Sequence, residues 1–524
     1  MTTKRVIALV LSLAMICGAL AMLVACNGDT AGTTTTTANT TAAPGTNGGE
    51  GENNTPTTTT AAAPEIVEPT VEVDLEGDTI TFVIADTDGD MFNNRSIFAD
   101  DSTGDPVDSV ICERNETVME RFNCELAIYE EYTADYSVNA KYGDLLLSNT
   151  DEIDIIAGRQ WDDAQLATKG YLKDLSTLKG YINYDQGYWS TEYIEGMNYK
   201  DKVYWVVGDL NLRYTGGFYT VFVNQTLYNK NCAAVYGEDL YQLVYDGKWT
   251  YDTVIKMATL GWDDQGTTQD KTDEEDVLGL ALPMWDNTNA MVVSAGIPFG
   301  TENADGSITV NITNSNKRLS AFNLKFVELL TTKGVFDFGG RYGDAMAKLA
   351  SDGAMMVFGR LNQAELYLTE MQSGYFIIPY PKLDEEQGRY YSSLHDAIAL
   401  YGINASSNKI EESAAVLDYM AYLSYKNVRG EYYEYALKYR YTSDDGATAK
   451  MIDFIADNAT SDIVYVWCFS EKFGKVYSLG SLFRFYLTPA TSGLSSQIKK
   501  VGKSWQTAAD SLVEDFEELW ASQE

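Results

Sequence analysis

DTITFVIAD, residues Asp78–Asp86, has the density of β-branched and aromatic side chains expected of a buried strand. Outward from it comes a polar loop, then DPVDSVICERNETVMERF (Asp105–Phe122), in which Val107, Val110, Ile111, Val118 and Phe122 recur at helical spacing. CELAIYEEY (Cys124–Tyr132) reads as a second strand, YSVNAKYGDLLLSNT (Tyr136–Thr150) as a helix, and DEIDIIAG (Asp151–Gly158) as a third strand. Strand, helix, strand, helix, strand predicts an α/β fold with a parallel sheet. Ligands of such sheets sit beyond the carboxyl ends of the strands, which draws attention to the loops Asp86–Asn94 and Gly158–Asp163.

Further along, the elements stay mixed. Strands are expected at DKVYWVVGDL (Asp201–Leu210), YTVFVN (Tyr219–Asn224) and GAMMVFG (Gly353–Gly359). Helices are expected at WTYDTVIKMATLG (Trp249–Gly261), NKRLSAFNLKFVELLTT (Asn316–Thr332) and KIEESAAVLDYMAYLSY (Lys409–Tyr425). Near the C-terminus, Ile498, Val501, Trp505, Ala508, Leu512, Phe516 and Trp520 form an amphipathic stripe that should pack on its own domain. From Thr70 onward the composition is globular, and roughly 450 residues exceed a single core, so two domains are expected.

The N-terminal end is different. Lys4 and Arg5 precede an apolar run from Val6 to Val24, the pattern of an export signal over residues 1–25. Leu23, Val24, Ala25 and Cys26 resemble the bacterial lipobox, which implies that Cys26 is acylated and becomes the first residue of the mature chain. Two or three acyl chains, at about 0.8 kcal/mol per buried methylene, would hold the protein on the extracellular face of the cell membrane. Residues 26–69 are dominated by Thr, Ala, Asn and Gly and bury almost nothing, so they read as a flexible stalk.

A formal charge of −38 argues against nucleic acid or anionic lipid as a direct partner. Cys112 and Cys124 invite pairing, but the helical spacing puts Cys112 about 15 Å of rise from the helix end, beyond disulfide reach. Cys112, Cys124, Cys232 and Cys468 are therefore expected as free, mostly buried thiols. No metal and no cofactor is expected. DTDGDMFNNRSI begins like a calcium loop, but Met91 and Ile97 stand where glycine and glutamate are required. A single histidine affords no zinc constellation, and no Gly-x-Ser-x-Gly elbow is present.

Several stretches, in order, resemble the family-one extracellular solute-binding proteins, the lipoprotein receptors of sugar ABC importers. DEIDIIAGRQWDDAQLATKGYLKDLS (Asp151–Ser176) is similar to their strand, cleft loop and Gly-x-Leu-x-Asp-Leu segment. VFVNQTLYNK (Val221–Lys230) followed by GKWTYDTVIKMA (Gly247–Ala258), KLASDGAMMVFGR (Lys348–Arg360), and HDAIALYGINASSNKIEESAAVLDYMAYLS (His395–Ser424) continue the likeness over most of Thr70–Ser424. The resemblance implies a two-lobed, type II periplasmic-binding-protein-like fold with a hinge and an interlobe cleft. Lobe one would hold residues 70–217 and 398–441, and lobe two residues 218–397 and 442–524. Crossings would fall near RYTGGFYTV (Arg213–Val221) and HDAIALYG (His395–Gly402), with a third further along. One departure concerns the maltodextrin-binding relatives, where an aromatic often follows the glycine that here is Gly359; Arg360, Leu361 and Asn362 follow it instead.

A sugar offers apolar C–H faces and a rim of hydroxyls, so its site needs aromatic plates and planar polar groups. The cleft loops supply Asp86, Arg159, Trp161, Tyr214, Trp285, Asp286, Arg360, Asn362, His395 and Asp396 as ligand-binding candidates. The expected activity is that of a monomeric, non-catalytic receptor that captures a carbohydrate and delivers it to an ABC transporter permease. A cell-surface glycoside hydrolase and a carbohydrate adhesin stay open beside it, since acidic pairs at glycosidase separation arise readily among 76 Asp and Glu.

Overall fold

The structure, a computed structural model, describes residues 66–85, 93–129, 138–147, 152–266, 271–284, 287–433, 446–468, 470–473 and 494–523. Export signal, Cys26 and nearly all of the Thr-rich tract lie outside them. β1 (Thr79–Ile84) leads to α1 (Pro106–Phe122), whose start is fixed by the Asp105 side chain accepting from Val107 N at 2.8 Å and by Pro106 at the first helical position. β2 (Glu125–Ile128), α2 (Val138–Leu147) and β3 (Ile155–Arg159) follow. β2 and β3 flank β1 in parallel register, as the alternation predicts. The four-stranded sheet is completed on the outer side of β3 by an antiparallel strand from far along the chain, β11 below.

A short helix, α3 (Leu212–Gly216), precedes β4 (Tyr219–Asn224), all of whose residues are buried. Then come α4 (Tyr251–Leu260), β5 (Leu278–Leu282), the hairpin β6 (Gly300–Glu302) and β7 (Ile308–Val310), α5 (Lys317–Thr331), β8 (Val335–Asp337), β9 (Ala354–Arg360), α6 (Gln363–Tyr367) and β10 (Tyr375–Pro379). These strands make a second sheet in the order β10-β4-β9-β5-β8, with β5, β8 and β9 parallel and β4 antiparallel to both its neighbours. α4 and α5 start on side-chain caps from Thr250 and Asn316.

β11 (Ala399–Ile403) returns the chain to the first sheet, and α7 (Ile410–Leu423) packs beside it. α8 (Arg429–Tyr433), α9 (Ala447–Ala456), α10 (Ile463–Trp467) and α11 (Leu494–Gln523) complete the described chain. The stripe of α11 is buried from Ile498 to Phe516, and Trp520 packs against the core from its edge. Its first half lies along the β6–β7 hairpin, where Gln506 bonds both Val310 N and Ile308 O. Its last turn lies against Tyr199 and Tyr204, whose hydroxyl accepts from Trp520 Nε1 at 2.8 Å.

Asp201–Leu210 forms no strand. Val206 and Tyr401 exchange both main-chain bonds on the free edge of β11, at 2.9 and 2.8 Å, and the ladder stops there. Gly208 is pressed so closely on Tyr188 that a Cβ would lie 2.2 Å from its carbonyl oxygen, and this close approach ends the run. The cysteines behave as expected: Cys112, Cys124, Cys232 and Cys468 are free, and burial pushes the Cys124 thiol up to about 11 and Cys232 up to about 12. Among the described residues no helix is long and apolar enough to cross a membrane.

Candidate functional site

Two segments pass between the sheets side by side. Phe218, between α3 and β4, bridges Leu394 in antiparallel register. His395 N donates to Gly217 O at 3.1 Å and Tyr219 N to Ser393 O at 3.2 Å. The end of β9 joins them: Leu361 N bonds Phe218 O at 3.0 Å and Asn362 N bonds Gly216 O at 2.8 Å. From the first sheet, Gln160 N bonds Ile398 O at 3.0 Å and Trp161 N bonds Asp396 O at 3.1 Å. Main-chain bonds thus draw the carboxyl ends of β3 and β9 onto one two-stranded crossing.

The glycine pair in RYTGGFYTV makes the approach possible. A Cβ on Gly216 would lie 2.7 Å from the Tyr432 hydroxyl and 3.1 Å from Asn362 Cβ, and one on Gly217 would lie 2.2 Å from Arg213 O. No larger residue fits there without moving a neighbour.

The loop after β3 is held by carboxylates. Asp163, fully buried, accepts from Arg159 N at 3.0 Å and from Val138 N at 3.1 Å, tying β3 to α2. Arg159 pairs through Nε and Nη2 with Asp162, and its guanidinium carbon lies 6.0 Å from the centre of the half-buried Trp161 ring. Gln160, wholly buried, accepts from the Tyr193 hydroxyl at 2.6 Å, while its Nε2 has no hydrogen-bond partner among the described residues.

On the second sheet, Arg360 N donates to Gln363 Oε1 at 3.1 Å, and the Arg360 guanidinium lies over the Tyr342 ring at 5.6 Å. Asn362 is 1 % exposed and neither of its amide atoms has a hydrogen-bond partner among the described residues. Asn287 Nδ2 donates to Pro283 O at 2.6 Å and to Phe358 O of β9 at 3.0 Å, and its buried Oδ1 has no hydrogen-bond partner among the described residues. A buried polar atom left without a partner costs about 1 to 3 kcal/mol, and among the described residues Asn362 has two such atoms, Gln160 one and Asn287 one.

His395 is mostly buried. Its Nδ1 accepts from Ala397 N at 3.2 Å and lies 3.6 Å from Asp396 Oδ1, and its ring tilts on Tyr219 at 6.1 Å. An accepting Nδ1 places the proton of the neutral ring on Nε2. Tyr214 lies inside, behind the crossing, with its ring edge-on to Phe218 at 5.0 Å and its hydroxyl toward Ser190; burial pushes that phenol well above its ordinary range. Of the sequence-derived candidates, Arg159, Trp161, Asn362, His395 and Asp396 thus come together at the crossing, Arg360 stands at the end of β9, and Tyr214 supports from within. Asp86, Trp285 and Asp286 lie outside the described residues. Trp189 and Trp205 are core, donating from Nε1 to Asp418 at 2.8 Å and to Ala164 O at 3.3 Å.

Sequence reasoning passed over Gln160 and Asn287. Gln160 stood inside the GRQW stretch, hidden by its charged and aromatic neighbours, whereas nothing in DNTN distinguished Asn287 from a surface turn. Among the described residues no three His, Cys, Asp or Glu side chains are grouped as metal ligands.

A scan of family models and a search of curated protein sequences each find no match to this chain. Comparison of structures does find similar folds. Maltose-bound MalE3 of T. maritima superposes with a TM-score of 0.51 at 15% identity, covering 82% of this chain and 100% of that one. The galacto-N-biose/lacto-N-biose I-binding protein of the ABC transporter from Bifidobacterium longum, in complex with lacto-N-biose, gives 0.52 at 14%, covering 84% and 98%. The chain has the two-lobed, type II periplasmic-binding-protein fold. The apo-form of RafE from Streptococcus pneumoniae shares this fold, with a TM-score of 0.50 at 12% identity over 84% of this chain and all of the other. The Phe218–Leu394 bridge lies where the chain enters β4 of the five-stranded sheet and approaches β11 of the four-stranded sheet.

Proposed function

We propose that this protein is a surface-tethered receptor that binds a carbohydrate between its lobes and hands it to an ABC transporter permease, without covalent chemistry. Asn362 supports this reading most directly: a buried amide whose donor and acceptor both lack a partner among the described residues, next to the crossing, is what a ring hydroxyl would complete. Gln160 adds a donor and Asn287 an acceptor that have no partner among the described residues. Trp161 offers the ring face, with Arg159, Arg360, His395 and Asp396 as charged or polar partners. Asp86, Trp285 and Asp286 belong to the same proposed site by their place in the sequence, and Tyr214 backs it. The similar folds include proteins bound to maltose and to lacto-N-biose, which makes a sugar the first ligand class to test.

In this reading the lobes comprise residues 70–217 with 398–441 and 218–397 with 442–524, and the protein acts as a monomer. Signal cleavage before Cys26 and acylation of its thiol anchor it to the extracellular face of the membrane, with residues 26–69 as stalk. A thermal-shift screen over mono- and oligosaccharides tests the ligand class, because a ligand at a thousand times its Kd adds about 4 kcal/mol of apparent stability. The expected result is a shift for a sugar without new reducing ends; release of reducing ends would establish a glycoside hydrolase instead.

A further inference from the structure

The chain departs from α7 through an irregular helix. α7 runs directly into a turn of π-helix, Ser424–Val428, and then into α8. A π turn changes the face that the following residues present, and such turns gather at functional positions. Here the following residues are Arg429 and Tyr432, one helical turn apart, and each meets a segment of the second lobe.

Arg429 holds two carboxylates. Nη1 reaches Asp209, a first-lobe residue buried beside Tyr188, at 3.3 Å, and Nη2 pairs with Asp453 of α9. α9 packs on β10 of the second sheet, its Thr448 hydroxyl 2.7 Å from that of Tyr241. The guanidinium is enclosed by rings, Tyr425 at 5.1 Å and Tyr433 at 5.3 Å, and Nε donates to the Tyr433 hydroxyl at 3.0 Å. Tyr432, fully enclosed, is set against the Glu365 carboxylate of α6, with Arg95 and Arg213 beside it. Burial raises the Glu365 carboxyl above its ordinary value, against the pull of Arg95.

A third pair also spans the lobes, Arg389 with Glu192, but its side chains are 40% and 44% exposed, where ion pairs contribute little. Asp453 is 49% exposed, but Arg429 is 14% exposed and boxed between the Tyr425 and Tyr433 rings, so its end of the interlobe pair is screened less than either end of Arg389–Glu192.

We propose that α8 is an interlobe clasp, in which Arg429 on Asp453 and Tyr432 on Glu365 fasten the first lobe to the second and set the lobe equilibrium against which a ligand works. The proposal rests on the receptor reading only for the consequence: a ligand shifts two lobe arrangements by its differential affinity, so a contact preferring one of them tunes binding without touching the ligand. The contacts themselves need no ligand.

The test uses the full-length chain in detergent micelles without sugar. Spin labels at Glu120→Cys on α1 and Leu324→Cys on α5, both exposed, in a Cys112→Ala background, report the lobe separation by double electron–electron resonance. Asp453→Asn and Glu365→Gln should each add a second distance population absent from the parent, and the double variant should enlarge it. Distributions that superpose on the parent's in both single variants would overturn the clasp. Should Glu365→Gln lose its fold by circular dichroism, Asp453→Asn decides alone, since that carboxylate is 49% exposed and its loss leaves Asp209 on Arg429. With no sugar present, this failure leaves the ligand class standing, and a sugar screen without a thermal shift leaves the clasp standing.

Discussion

Trp161 gives its main-chain N–H to the carbonyl oxygen of Asp396 at 3.1 Å. The bond places the loop after β3 against the chain as it crosses back to β11, so the Trp161 ring is positioned by backbone while its side chain is only partly enclosed. A ring held this way is available to a ligand at little ordering cost, because the segment that carries it is already fixed.

Trp161→Ala should therefore weaken the sugar identified by thermal shift tenfold or more, about 1.4 kcal/mol, and leave the melting temperature of the free protein nearly unchanged. Isothermal titration calorimetry and differential scanning calorimetry read the two quantities. Unchanged affinity would remove Trp161 from the site; a collapse in melting temperature would make its ring a structural element.

Gly216→Ala tests the packing of the crossing. The added methyl would lie 2.7 Å from the Tyr432 hydroxyl, and that ring is too enclosed to swing away, so a loss of about 1 to 3 kcal/mol is expected in chemical denaturation. Removing the offending oxygen by Tyr432→Phe in the same chain should restore part of it, since the ring carbon behind it is 3.6 Å away. A double variant no more stable than Gly216→Ala would show that the strain lies elsewhere.

Much of the fold was legible because its strands are dense in β-branched residues and its helices amphipathic, as in β1, β4, β9, α1, α5 and α11. Val203–Val207 has the same composition and still forms one rung only, because Gly208 meets Tyr188 there, a contact set by residues twenty positions apart. Aromatic and charged candidates at strand ends were visible by type, and the crossing does gather Trp161, Asn362, His395 and Asp396. Gln160 and Asn287 were not, since an amide announces nothing until its burial and its missing partner are known. Tyr214 looked like a ligand plate because it precedes the crossing; its helical turn faces it inward.

Cys26→Ser should abolish incorporation of labelled fatty acid and leave the export signal uncut or miscut. Labelled palmitate on the variant chain would refute the proposed anchor. Shortening the stalk by deleting residues 27–64 should change neither ligand affinity nor melting temperature, because a tract so poor in large apolar side chains contributes no core.

Asp418 carries the clearest pH signature. Its carboxylate is buried under Trp189 and Tyr188, accepting from Nε1 at 2.8 Å and from the hydroxyl at 3.1 Å, yet burial outweighs these bonds and pushes it up to about 6. An unfolded aspartate titrates near 3.9, so between about pH 4 and 6 the folded chain holds a proton that the unfolded chain has released. The stabilisation from this group is complete below the unfolded value and is lost as pH rises through about 6, a fall on the order of 3 kcal/mol. Asp209 and Asp462 are pushed up to about 6 in the same way, so the pH profile of the whole protein does not isolate Asp418. Asp418→Asn does, being neutral at every pH: the parent's advantage over the variant in melting temperature should be larger at pH 4.5 than at pH 7.5. An advantage that is the same at both, measured by scanning calorimetry in matched salt, would mean that the carboxylate is ionised in the folded protein throughout and that its hydrogen-bond donors, Trp189, Tyr188 and the Asn183 main chain, outweigh its burial.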